Sequence, residues 1–216
     1  MTTIQVAASV LNADLGALRD EVQRAEAAGV DRIHLDIMDG AFVPNITFGL
    51  ATVEALRAAT ELPFDAHLMI REPSAWAGRF AAAGCESVAF HVEAPEAHAA
   101  TLAAIRSHGA AAGLAIDPGT PVSALAPFAE FLDFVVVMTV KSGFGGQTYQ
   151  SAAAARIGTV RDLLPHGGPI HVDGGINPTT ARDAAEKGAT VLVAGTALFG
   201  AASMREAVSA LRATRS

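Results

Sequence analysis

One pattern governs the whole chain: a short apolar run, a small polar loop and an alanine-rich amphipathic stretch follow one another from end to end. Such alternation is what βα units produce. Eight runs have the length and content of strands: Ile4 to Ser9, Arg32 to Ile37, Pro63 to Met69, Ser87 to His91, Ala112 to Ile116, Phe134 to Val140, Ile170 to Val172 and Thr190 to Val193. A helical pattern follows each. In the first, Leu15, Leu18, Val22 and Ala25 recur at three- and four-residue spacing while Arg19, Asp20, Gln23 and Arg24 fill the other face, which predicts a helix packed on a sheet. Gly29, Gly84, Gly109 and Gly188 each close an alanine-rich helix just before the next strand, where a left-handed residue is needed. Spread over 216 residues, eight units take about 27 residues each, enough for a strand, a three-turn helix and two loops. An open doubly wound sheet could use the same units, but eight of one size favour closure. The sequence therefore predicts an α/β fold, a (β/α)8 TIM barrel formed by residues 1–216 as one domain.

Composition excludes several classes of partner. At 51% hydrophobic and 17% charged, the chain is too apolar to be disordered. Fifteen Lys and Arg against 22 Asp and Glu give a net charge of -7, which offers no footprint for nucleic acid or for an acidic membrane surface. Cys85 is the single cysteine and reads as a core residue, so no intrachain disulfide forms and a reducing compartment is expected. Met1 to Val10 lacks a basic signal region, and no run of about 18 apolar residues occurs. The expectation is a cytoplasmic protein with no membrane partner, open to homo-oligomerisation.

In a barrel of this kind the chemistry sits where strand C-termini meet the βα loops. His34 and Asp36 lie two apart on strand 2, so the pleat points both the same way, and Met38 continues that face. His67 and Met69 repeat the arrangement on strand 3, and Asp173 ends strand 7. Any one of these residues alone reads as a hydrogen-bonded structural group. Together, two imidazoles and two carboxylates in an apolar interior would be costly without a cation, and they make an N2O2 set suited to one divalent ion, Zn2+, Fe2+, Mn2+ or Co2+.

A second constellation is rich in glycine: Gly143-Phe144-Gly145-Gly146 after strand 6, Gly174-Gly175 after strand 7, and Gly195-Thr196 after strand 8. Glycines there let backbone N–H groups approach an anion, and a helix N-terminus after strand 8 would add its dipole. Each pair alone is an ordinary tight turn, whereas three on adjacent strands predict a site for a substrate phosphate.

These strings, namely His34-Leu35-Asp36-Ile37-Met38-Asp39-Gly40, Phe42-Val43-Pro44-Asn45, His67-Leu68-Met69, Gly143-Phe144-Gly145-Gly146-Gln147 and Val172-Asp173-Gly174-Gly175-Ile176, resemble the ribulose-phosphate 3-epimerase family from about Val6 to Phe199. The resemblance implies a metal-containing barrel that interconverts D-ribulose 5-phosphate and D-xylulose 5-phosphate, a step of the pentose phosphate pathway. It implies that His34, Asp36, His67 and Asp173 hold the metal and that Asp36 and Asp173 exchange protons with the substrate. It also implies substrate contacts from Ser9, His67, the Gly143 to Gly146 loop, Asp173, Gly174, Gly175, Gly195 and Thr196. The residue types suit the chemistry: removing a proton beside a ketone needs a stabilised enediolate, and inversion needs a second acid on the opposite face. Met38, Met69 and Met138 would close the pocket with water-excluding surface, a role that ordinary core packing explains equally well.

The remaining histidines carry less. His91 reads as a support for the site or as structural, His171 as a hydrogen-bonded residue deeper in the barrel, and His98, His108 and His166 as solvated. The chain departs from the family pattern at Ala8 and Asn12, at Asp117 where Asn is usual, and at Lys141-Ser142 in place of a polar or acidic residue and Pro. The departures leave room for a six-carbon ketose phosphate such as allulose 6-phosphate. They also admit a Schiff-base aldolase using Lys141, which would leave the His and Asp set unexplained. A phosphosugar decarboxylase would need an Asp-x-Lys-x-x-Asp string, which is absent. A non-catalytic phosphosugar-binding barrel would keep the glycines without needing both carboxylates.

Overall fold

The computed structural model describes residues 3–96, 98–165 and 167–214. Its strands are β1 Gln5–Ser9, β2 Arg32–Met38, β3 Phe64–Met69, β4 Ser87–His91, β5 Ala111–Ile116, β6 Phe134–Met138, β7 Ile170–Asp173 and β8 Val191–Ala194. Each pairs in parallel with the next, and β8 returns to β1, so the sheet closes into a barrel in sequence order. The expected architecture is therefore present. Strand β6 is shorter than the sequence suggests, because Thr139 turns its hydroxyl onto the carbonyls of Asp173 and Gly174, at 2.9 and 2.6 Å, as the chain leaves the sheet.

Alternation along each strand separates two environments. On β2, Ile33, Leu35 and Ile37 join the large outer core with Val6, Leu68, Val88, Leu114 and Val135. Cys85 is buried in the same core. The intervening residues of β2, Arg32, His34, Asp36 and Met38, turn towards the barrel axis. Inside the barrel, bulk on one strand is matched by its absence on another: a Cβ on Gly113 would lie 2.7 Å from the Phe134 ring. Below the mouth, Arg32 Nε donates to Asp65 Oδ1 at 2.8 Å, and the Ser87 hydroxyl donates to the same carboxylate. His171 lies against Phe134, ring centres 4.6 Å apart, but its Nδ1 has no hydrogen-bond partner. It is thus a buried interior histidine, as expected, without the full set of hydrogen bonds expected of it. Burial pushes it down to about 4, so it packs as a neutral ring.

Around the barrel lie α1 Leu18–Ala28, α2 Leu50–Arg57, α3 Pro73–Ala82, α4 His98–Ser107, α5 Ser151–Ala154, α6 Ile157–Leu163, α7 Pro178–Lys187, α8 Thr196–Phe199 and α9 Met204–Arg212. No helix among the described residues is long and apolar enough to cross a membrane. Two expectations are corrected. Leu15 does not belong to the buried stripe of α1: Asp14 caps a separate 3-10 turn by accepting from Gly16 N at 2.9 Å, which leaves Leu15 56% exposed. After β5 the chain forms a 3-10 segment, Val122–Phe131, instead of an α-helix, since Pro127 removes a backbone donor from its middle. The four glycines expected after helices are left-handed, with φ of 91° at Gly29, 101° at Gly84, 81° at Gly109 and 115° at Gly188.

Candidate functional site

The pleat of β2 brings His34 and Asp36 to the axis, β3 adds His67, and β7 ends on Asp173, so the four meet at one point. One ligand atom from each lies within 4.8 Å of the others. His34 Nε2 stands 3.4 Å from Asp36 Oδ1 and 3.7 Å from Asp173 Oδ2, and His67 Nδ1 stands 3.4 and 3.5 Å from the same two oxygens. His34 Nε2 and His67 Nδ1 are buried without a hydrogen-bond partner. Orphaned imidazole nitrogens facing two carboxylates fit a divalent cation, since such atoms are otherwise costly to bury. Electrostatics agree. Burial alone would push the Asp36 carboxyl up, but His34 and His67 beside it hold it well below the ordinary carboxylate range. Burial alone would lower His67, yet Asp173 and Asp36 raise it to about 9. The cluster demands positive charge, from protons or from a metal.

Above the cluster opens a cavity of about 600 Å³. Ser9, Asp36, Met38, Met69, Met138, the Gly143 to Gly146 loop, Asp173, Gly174, Gly175, Gly195 and Thr196 all line it, as does Lys141. His34 and His67 are buried beneath this wall. Ser9 donates to Asp36 Oδ2 at 2.7 Å. Phe144 projects from its loop, 54% exposed. The three glycine segments lie together along one side, but α8 is a single four-residue turn, too short to supply the helix dipole expected after β8.

Several residues that hold the site were not singled out in sequence. Gln147 Nε2 donates to the carbonyls of Lys141 at 2.6 Å and Phe144 at 2.8 Å, which cinches the glycine loop. Asn45 Nδ2 donates to Gly143 O at 3.0 Å, and so ties the loop after β2 to the loop after β6. Asn12, noted only as a departure from the family, fills space that a Cβ on Gly195 would enter at 2.2 Å from its Oδ1, so the two positions constrain each other.

His91 supports the cluster directly: its Nε2 lies 3.0 Å from His67 Nε2, and its Nδ1 3.0 Å from Glu93 Oε2. Burial would push Glu93 up, but His91, Thr120 and the Asp117 N–H hold it down to about 2. Ser142 is buried and donates to Asp117 Oδ1 at 2.5 Å. His98 is not solvated as expected; it is half-buried between Phe90 and Phe128, with Nε2 2.9 Å from the Val92 carbonyl. His108 is exposed, and His166 lies outside the described residues.

Known proteins match this chain over almost its whole length. The model of the ribulose-phosphate 3 epimerase family matches residues 5–199. A Bacillus subtilis protein named ribulose-phosphate 3-epimerase is 42% identical, over 98% of this chain and 100% of that protein. The chloroplastic ribulose-5-phosphate-3-epimerase of Arabidopsis thaliana is also 42% identical, over 98% of this chain and 77% of that protein. A solved 3-keto-L-gulonate-6-phosphate decarboxylase from Vibrio cholerae superposes with a TM-score of 0.75 at 17% identity, covering 99% of this chain and 97% of that one, a likeness of fold alone. With strands, cluster and glycine loops placed as described, this chain belongs to the ribulose-phosphate 3-epimerase family.

Proposed function

We propose that this chain interconverts D-ribulose 5-phosphate and D-xylulose 5-phosphate by inverting C3. The observation that carries the reading is the position of Asp36 and Asp173: both reach the cavity wall, from β2 and β7, which are not neighbours in the barrel. The names of the Bacillus and Arabidopsis relatives support the same sugar. One carboxylate takes the C3 proton, the electron pair passes into an enediolate, and the other carboxylate returns a proton to the opposite face; the roles exchange in the reverse direction. A divalent metal, Zn2+, Fe2+, Mn2+ or Co2+, held by His34, Asp36, His67 and Asp173, would supply positive charge where the C2 and C3 oxygens become electron-rich. Asp36 is held ionised by its imidazole neighbours, the charge state from which a carboxylate can accept a proton. The glycine loops present backbone to the phosphate, and Met38, Met69 and Met138 line the wall with soft apolar surface that keeps water from the enediolate.

The test is turnover in D2O by protein purified without added metal or chelator. The reading expects near-stoichiometric bound metal and deuterium at C3 of the product. Asp36→Asn and Asp173→Asn should each cost at least ~10²- to 10⁴-fold in rate. Product that keeps its original C3 hydrogen would overturn the two-carboxylate route, and faster turnover of allulose 6-phosphate would reassign the sugar.

A further inference from the structure

We infer that Glu93 and Asp117, two carboxylates outside the four-residue cluster, are positioning residues that fix the imidazole tautomers so that a His67 Nδ1 lone pair faces the cluster. The inference rests on the metal reading above and adds to it the hydrogen order behind the ligands.

The argument is an accounting of hydrogens. Glu93 Oε1 accepts from the Asp117 N–H at 2.8 Å and from the Thr120 hydroxyl, and Oε2 faces His91 Nδ1 at 3.0 Å. A carboxylate only accepts, so His91 Nδ1 carries the hydrogen, and a neutral His91 ring then has its lone pair on Nε2. Two groups face that lone pair, His67 Nε2 at 3.0 Å and Ser142 Oγ at 3.2 Å. Ser142 has one hydroxyl hydrogen, and Asp117 Oδ1, at 2.5 Å, takes it; the same oxygen accepts the Ser142 N–H at 3.2 Å. His67 Nε2 is therefore the donor to His91. The other ring nitrogen, Nδ1, is the atom that stands 3.4 Å from Asp36 and 3.5 Å from Asp173 with no hydrogen-bond partner. The chain from Glu93 through His91 to His67 thus commits Nε2–H to His91 and makes Nδ1 the nitrogen whose lone pair a cation takes once any proton there is displaced, in the way that hydrogen bonds behind a metal ligand set its tautomer.

Asp117 and Ser142, met in the sequence as separate departures, bond to each other. An amide at 117 could turn its NH2 to Ser142 and release the hydroxyl hydrogen towards His91. The carboxylate forbids that.

Glu93→Gln reverses the order without changing shape. Both partners of Oε1 are donors, so the amide oxygen takes that place and the NH2 faces His91 Nδ1. His91 must then carry its hydrogen on Nε2, opposite His67 Nε2, and His67 must carry its own on Nδ1, inside the cluster. The experiment reads imidazole ¹⁵N spectra of the full-length metal-free protein and Zn2+ affinity by chelator competition, for wild type, Glu93→Gln and Asp117→Asn, with melting curves to establish folding. The expected results are Nδ1–H on His91 in the wild type, Nε2–H in Glu93→Gln, and zinc affinity reduced roughly ten- to a hundredfold in Glu93→Gln. Asp117→Asn should show a smaller loss in the same direction. Wild-type His91 with its hydrogen on Nε2, or folded Glu93→Gln with undiminished zinc affinity, would overturn the inference; should Glu93→Gln not fold, the wild-type spectrum and Asp117→Asn decide. Wild type that binds no zinc while showing Nδ1–H on His91 would overturn the metal-positioning role and place the fault in the cofactor. No sugar phosphate is present, so the substrate reading stands or falls separately.

Discussion

Ser9 donates its hydroxyl hydrogen to Asp36 Oδ2 at 2.7 Å. One carboxylate oxygen is thereby held by β1, while the other, Oδ1, stands 3.4 Å from both His34 Nε2 and His67 Nδ1. The proposed proton exchange at C3 needs this carboxylate to keep its angle, and the bond to Ser9 holds it. Ser9 also lines the cavity, so the contact expected of it with substrate and its hold on Asp36 share one hydroxyl.

Ser9→Ala should therefore lower kcat more than it raises KM. Loss of one hydrogen bond to a charged group, ~1.5–3 kcal/mol, corresponds to a fall of roughly ten- to a hundredfold. Steady-state kinetics with elemental analysis checks it: bound metal should be retained. A change confined to KM would make Ser9 a substrate contact alone.

Metal affinity should depend on pH through the ligands. The ordinary histidine value is about 6.5; burial would lower that of His67, but Asp173 and Asp36 raise it to about 9. A cation has to displace that proton, so affinity should rise with pH, about tenfold per unit for each proton displaced, and flatten above about 9. The same shift has a sign for stability. Because the folded value is the higher one, the metal-free protein holds this contribution below about 6.5 and loses it as pH climbs through about 9. Melting curves across that window should show a declining Tm for the metal-free protein and none of that decline once zinc is bound.

Much of this architecture is legible in one dimension because it is periodic. A strand repeat of two put His34 with Asp36 and His67 with Met69 on the same faces, and a glycine that had to be left-handed marked the ends of four helices. What the sequence hides is register between strands. Asp65 sits level with His34 on β2 and with Ser87 on β4, and only that pairing brings it to Arg32. Nothing in the spacing along β3 announces an ion pair. The same holds for Asp117 and Ser142, which lie on different loops and meet only when β5 and β6 pair. The 3-10 segment after β5 was hidden for another reason: its apolar spacing reads as a helix until the proline's missing donor is taken into account.

The Arg32 and Asp65 pair should matter for stability and not for turnover. Arg32 reaches Asp65 through Nε and Nη2, and the Asp65 side chain is 3% exposed. Asp65→Ala leaves the guanidinium without its counter-charge in a largely enclosed layer, a change that costs ~3–5 kcal/mol. Urea unfolding should report that loss, and kcat measured below the transition should remain near wild type. A normal midpoint would mean that water reaches Arg32 in the variant.

Lys141 divides epimerase chemistry from Schiff-base chemistry. Its backbone carbonyl is held by Gln147 Nε2 at 2.6 Å, so the main chain there is fixed, while its side chain is exposed at the edge of the cavity. Lysines that form imines sit desolvated in apolar pockets or beside another cation, a setting unlike this rim. A cation at the mouth can still draw in a phosphate, but an exposed ion pair of this kind is worth little. Lys141→Ala should raise KM by no more than about fivefold and leave kcat unchanged. Borohydride added during turnover should leave the mass of the peptide carrying Lys141 unchanged. A reduced adduct on that peptide, with kcat abolished in Lys141→Ala, would replace the proposed exchange of C3 protons with Asp36 and Asp173 by an imine mechanism.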